Sequence, residues 1–248
     1  MKNFKAVIKR CAFALLSLLI IPPQTLILLL IPRTSIAMII PRTWHGWMCR
    51  IFSIRYEMHG TPWTEHQTFY MSNHISYLDI PLIGGIIRNA TFLAKSEVEG
   101  WPVFGYLASL QQTEYIIRKK TAITEAMDRL SARINEGISL IIFPEGTSTD
   151  GRGVLPFKSS LFSLALGTKN KDLRIQPVTI ELLETDGRPV VTQDDRDLYC
   201  WHNGMTAELP EHLWRFAKTS GARLRVTFHA PLKASDFADR KALAKACH

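Results

Sequence analysis

The chain opens on a long apolar tract. From Cys11 to Pro32 (CAFALLSLLIIPPQTLILLLIP) no charged side chain occurs. On paper that length crosses a bilayer, which takes about 20 apolar residues as a helix. Pro22 and Pro23 divide it. The apolar residues before them, Cys11 to Ile21, reach about 16 Å as a helix, roughly half of a hydrocarbon core. Two adjacent prolines remove backbone donors and clash with the preceding turn, so a break or sharp kink is expected there. Further apolar pieces run Thr25 to Ile31 and Ile36 to Ile40. A basic start before an apolar run also describes a signal peptide. This run is too long for a typical one, and no clear small-x-small cleavage site follows.

Beyond Ile54 the pattern shortens. Runs rich in Ile, Val, Phe and Tyr predict strands at Ile54–Gly60, Thr68–Ser72, Thr91–Ala94, Glu114–Ile117, Ser139–Phe143, Ile175–Ile180 and Leu224–His229. Helical spacing fills the gaps. In Thr121–Glu136, Ile123, Met127, Leu130 and Ile134 fall on one face and Gly137 supplies a stop. Ser159–Leu166, Ala207–Lys218 and Asp236–Cys247 also read as helices, and Glu184–Arg196, with Asp-Gly-Arg-Pro, reads as a loop. Strands alternating with helices argue an α/β domain. The division expected is an anchor over residues 1–56 and one catalytic domain over 57–248.

Charge sharpens this division. The net charge is +8, and up to Tyr56 there are eight basic residues and no acid. The remainder holds 22 basic and 22 acidic side chains, so it is formally neutral. Positive charge gathered around a hydrophobic N-terminus points to anionic lipid headgroups, not to nucleic acid. It flanks the apolar tract on both sides, which favours a re-entrant hairpin or monotopic anchor over a single span. Four widely spaced cysteines without a CxxC predict reduced thiols and no zinc site.

The candidate chemistry lies in two motifs. The first is Asn73-His74-Ile75-Ser76-Tyr77-Leu78-Asp79. Histidine titrates near neutrality and can take a hydroxyl proton, while a carboxylate on its other nitrogen fixes the tautomer. Five positions apart on one helix, His74 and Asp79 would point about 140° apart, so the motif must straddle a turn. A strand ending near Ser72 supplies that turn. Ser76 or Asp79 can cap the following helix, and Pro81 is tolerated in its first turn. The second motif, Phe143-Pro144-Glu145-Gly146-Thr147-Ser148, closes an apolar strand with a hydroxyl-rich glycine loop suited to a polar head. No Gly-x-Ser-x-Gly elbow occurs, so a serine hydrolase has little support.

As an ordered pair these motifs resemble the glycerolipid (lysophosphatidate-type) acyltransferase family, over most of the chain from the hydrophobic N-terminus through Pro177. The resemblance implies a mixed sheet flanked by helices, behind an N-terminal membrane-anchoring segment. It implies an O-acyltransferase moving a fatty acyl chain from acyl-carrier protein or acyl-CoA to a lysolipid hydroxyl, with no metal or bound cofactor. His74 is then the base and Asp79 orients it. Asn73, Glu145, Gly146, Thr147, Ser148, Arg118 and Lys158 are the expected acceptor-side residues. The implied location is the cytoplasmic membrane, with the active site facing the cytoplasm. The family commonly has Glu-Gly-Thr-Arg where this chain has Ser148, which removes a bidentate phosphate donor. Lys95-Ser96-Glu97, Gly100-Trp101-Pro102, the Glu-Gly-Thr-Ser loop and Pro-Phe-Lys-Ser-Ser resemble the branch that acylates lyso-ornithine lipid, with lysophosphatidate as the competing acceptor. Trp101, Phe104 and Tyr106 are left open between acyl groove, lipid contact and core. Two other readings remain: a non-catalytic membrane-binding protein, and a lipid hydrolase using the same His and Asp on water.

Overall fold

In the computed structural model, residues 2–101, 103–116 and 130–248 are described. Helix α1 runs Lys2–Leu30 without interruption through Pro22 and Pro23, so the expected break does not occur. Proline's fixed φ is itself helical, so the cost falls on the missing hydrogen bonds and the ring clash. Tertiary ties on either side offset it. Trp44 Nε1 donates to Ser17 Oγ at 3.1 Å. Gln24 Nε2 donates to the carbonyls of Ala37 and Leu110 at 2.9 and 2.8 Å.

Helix α1 is inside-out. Ala6, Ser17 and Gln24 are its buried residues, whereas Phe4, Ile8, Leu15, Leu18, Leu19, Leu26, Leu29 and Leu30 are exposed. Ser17 and Gln24 are seven apart and so share one face. Lys2 pairs with Asp186 at 3.3 Å and Lys9 donates to the Thr219 carbonyl at 3.0 Å, so part of the basic N-terminus ties the helix to the body. Among the described residues, α1 is the one helix long and apolar enough to cross a membrane.

Helix α2 (Ile39–Phe52) ends at Ser53 in a left-handed conformation and leads into β1 (Ile54–His59). The expected boundary at residue 57 falls inside this strand. Ala6, Met48, Cys49 and Phe52 share one hydrophobic cluster with Tyr70, Ile180 and Leu224 of the sheet. Helix α3 (Asp79–Ile86) crosses α2 closely, and a Cβ at Gly84 would overlap the His45 ring.

The remaining strands are β2 (Thr68–Ser72), β3 (Ala90–Lys95), β4 (Glu114–Ile116), β5 (Ser139–Ile142), β6 (Arg174–Thr185), β7 (Arg188–Pro189), β8 (Ala222–Phe228) and β9 (Leu232–Lys233). They form one sheet in the order β1-β8-β6-β2-β5-β3-β4, with β7 and β9 beside β6. Pairing is parallel except where β6 meets β7, β8 and β9, so the sheet is mixed. Strand alternation splits the core: Tyr70 of β2 packs under α1–α3, and its neighbours Phe69 and Met71 pack on the opposite face. That second face is covered by residues 159–166 and by helix Arg240–Cys247.

The stretch 184–196 is not the loop that its composition suggests. Asp186 and Gly187 take φ of 48° and 76°, turning β6 back into β7, and a helix follows at Gln193–Arg196 behind a Thr192–Asp195 capping box. An Asp-Gly turn with both central φ positive matches strand twist. The expected helix Thr121–Glu136 is described only over 130–136, of which 130–135 is helical. Ile117, the expected end of β4, lies outside the described residues.

Candidate functional site

Strand β2 lies between β5 and β6, and its C-terminal end delivers the first motif. Asn73 fixes the exit. Its Oδ1 accepts from the Ile180 N–H at 2.6 Å, and its Nδ2 donates to the Ile180 carbonyl at 2.9 Å. This amide is therefore engaged with β6. His74 and Asp79 meet across the turn, with His74 Nδ1 2.9 Å from Asp79 Oδ2. A carboxylate only accepts, so Nδ1 carries the proton of this bond, and in the neutral ring the lone pair is then on Nε2. The ring stacks on Phe143, with centroids 4.1 Å apart.

Asp79 is fully buried and heavily bonded. Oδ2 also accepts from the N–H groups of Ile75 and Ser76 at 2.7 and 2.9 Å, and Oδ1 accepts from Tyr199 Oη at 3.1 Å. Neither expected residue caps α3. Leu78 holds the cap position, Asp79 begins the helix, and its carboxylate turns back into the loop. Pro81 sits in the first turn, where its missing N–H costs nothing.

Glu145 joins the second motif to the first. It is buried, with Oε1 accepting from the His74 N–H at 2.6 Å and Oε2 from the Leu155 N–H at 2.7 Å. Burial raises its pKa, and those two donors oppose the rise. Gly146 has φ of 69°, and a Cβ there would collide with the Lys158 ammonium, so that cation lies against the loop. Thr147 Oγ1 accepts from Asn203 Nδ2 at 3.2 Å. Arg118 lies outside the described residues.

His74 and Ser148 line an apolar cavity of about 210 Å³. Its walls include Phe13 and Ile20 of α1, Trp44 of α2, Leu78, and both Trp101 and Phe104 near helix α4 (Phe104–Leu110). Tyr106 is half exposed outside it. Buried at the wall are Gln24 and His45, the latter bonded through Nε2 to Gln111 Oε1 at 2.7 Å. Burial lowers the His45 pKa to about 4. Among the described residues no His, Cys, Asp and Glu cluster could hold a metal. A neutral imidazole oriented by a carboxylate, beside an apolar cavity and a hydroxyl-rich loop, can take the proton of a bound alcohol.

Sequence reasoning missed the residues that arrive from afar. Tyr199, Trp201, Asn203 and His212 all follow β7, and no local spacing marks them. Trp201 donates its N–H to the Ile75 carbonyl at 2.9 Å, and Tyr77 Oη bonds His212 Nδ1 at 3.0 Å. Ser17 and Gln24 did carry a signal, as polar residues seven apart in an apolar run.

A family model described as Acyltransferase matches residues 54–181, just over half of the chain. The chain is 38% identical over 208 residues to a lyso-ornithine lipid O-acyltransferase of Rhodobacter capsulatus, covering 81% of this chain and 71% of that protein. It is 29% identical over 187 residues to a 1-acyl-sn-glycerol-3-phosphate acyltransferase of Neisseria meningitidis serogroup B, covering 74% and 68%. Among solved structures it resembles the 1-acyl-sn-glycerophosphate acyltransferase PlsC of Thermotoga maritima, with TM-score 0.69, 18% identity and coverage of 100% and 93%.

Proposed function

Because this chain belongs to the acyltransferase family, we propose that it transfers a fatty acyl chain from a thioester to the hydroxyl of a lysolipid. The observation that carries this reading is the His74–Asp79 pair at an apolar cavity, with Nδ1 bonded to the carboxylate. The acceptor hydroxyl gives its proton to His74 Nε2 as its oxygen attacks the thioester carbonyl. Asp79 stabilises the imidazolium that forms. The tetrahedral intermediate then collapses, the carbon–sulfur bond breaks, and the thiolate leaving group takes the proton from His74. One ester and one thiol result, with no acyl-enzyme.

The cavity is the acyl chain's place, and the loop Gly146–Ser148 with Lys158 receives the polar head. Asn73 and Glu145 serve that site by holding its two loops. Lyso-ornithine lipid is the favoured acceptor. It is supported by Ser148 standing where the family commonly has arginine, and by relatives bearing that name. Lysophosphatidate is the competitor, supported by the other named relatives. The donor is acyl-carrier protein or acyl-CoA.

The protein sits on the cytoplasmic face of the membrane, with α1 lying in the lipid by its outer face. Leu15, Leu18, Leu19, Leu26, Leu29 and Leu30 face outward while Ser17 and Gln24 face inward, the reverse of a water-exposed helix.

The deciding experiment offers labelled acyl-carrier protein to membranes containing the enzyme, with each lysolipid in turn. His74→Ala is expected to lower the rate by about 10²–10⁴-fold, the range for a lost general base. A near-wild-type rate in that variant, or free fatty acid as the product, would overturn the mechanism.

A further inference from the structure

Asp79 spends one oxygen on His74, Ile75 and Ser76, and its other oxygen on Tyr199. We propose that Tyr199, which lies beyond the region matched by the family model, is a positioning residue that fixes the Asp79 carboxylate through its hydroxyl.

The burial of both groups makes the contact consequential. Tyr199 and Asp79 are each fully buried, so Oδ1 has no solvent to replace a lost donor. Burial first, and the neighbouring Asp79 charge second, hold the phenol well above its ordinary pKa, so it remains a donor. The other titratable groups around the pair are His74, Glu145, Cys49 and Cys200. Burial also raises both thiols, so they stay neutral near pH 7.

Tyr199 is itself held firmly. Its ring meets Phe216 edge-on at 5.8 Å, and its N–H donates to the Arg196 carbonyl at 2.9 Å. The same segment grips the His74 loop twice more. Trp201 bonds the Ile75 carbonyl, and His212 bridges the Tyr77 hydroxyl and the Asp197 carbonyl. A carboxylate that shares its charge with a phenol stabilises imidazolium less. The Tyr199 hydroxyl and the His74 ring therefore draw on the same carboxylate charge from its two oxygens.

The proposal rests on His74 acting as the base. The test compares wild-type enzyme and Tyr199→Phe, purified in detergent, for kcat, KM and the pH profile of kcat/KM. Loss of a hydrogen bond to a charged group predicts kcat lowered by about 10–100-fold, with KM for the lysolipid little changed. The acidic limb moves to higher pH, because the unshared carboxylate holds the imidazolium proton more tightly. In an Asp79→Asn background the same change should cost little more, since Tyr199 acts through Asp79. 3-Fluorotyrosine at position 199 covers a variant that fails to fold, and its stronger donor moves the limb to lower pH. Fully additive losses, or a slower enzyme with an unmoved limb, would overturn the proposal. An active His74→Ala enzyme would instead overturn the base reading beneath it.

Discussion

At the residue scale, the first motif works by directing hydrogen bonds. Asp79→Asn presents an amide donor to a site that holds several donors. It should lower kcat/KM by about 10²–10⁴-fold through the wrong tautomer and lost charge, read from initial rates in detergent. Gly146→Ala acts differently. The left-handed backbone costs a side chain about 1–2 kcal/mol, and the new methyl displaces Lys158. We expect a raised KM for the lysolipid, with a smaller effect on kcat. His45 gives a pH effect on stability. Its folded pKa, about 4, lies below its ordinary 6.5, because burial disfavours the charged form. The unfolded chain thus binds an extra proton between those values. Stability is full above pH 6.5 and falls as pH drops toward 4, by about 3 kcal/mol in all. Thermal melts of wild type and His45→Gln between pH 7 and 4 should converge on acidification.

At the element scale, packing overrode one local rule, and composition hid a second local signal. The paired prolines read as a break because propensity counts only the helix's own hydrogen bonds. Gln24, one position later, ties α1 to two other segments. Gln24→Leu strands two carbonyls and should cost about 1–3 kcal/mol, seen as a lower Tm in detergent. The loop expected at 184–196 became a hairpin and a short helix because Asp186-Gly187 and the Thr192–Asp195 box each carry a local signal that composition alone hides. The strands were far more legible. β2 begins and ends where its apolar run does, at Thr68 and Ser72. His74 and Asp79 were visible for the same reason, since neighbours in sequence need only a turn to meet. Tyr199 was not visible, because 120 positions separate it from Asp79 and only the finished sheet brings them together.

At the scale of the whole molecule, exposed apolar side chains gather on α1. The segment expected as the anchor shares a hydrophobic cluster with the sheet through Ala6, Met48, Cys49 and Phe52, and the apolar excess of α1 is turned outward. Leu18→Glu with Leu19→Glu should sharply reduce co-sedimentation with anionic vesicles. The melting temperature in detergent should change little, because both side chains are about two-thirds exposed (66% and 65%). Unchanged vesicle binding would count against α1 as the lipid contact.

The same helix contributes Phe13 and Ile20 to the cavity on its inner side. On the proposed orientation a single helix, about 10 Å across, is the partition between bilayer and reaction chamber. A greasy tail then travels about one helix diameter between storage and use, and oil need never be carried through water.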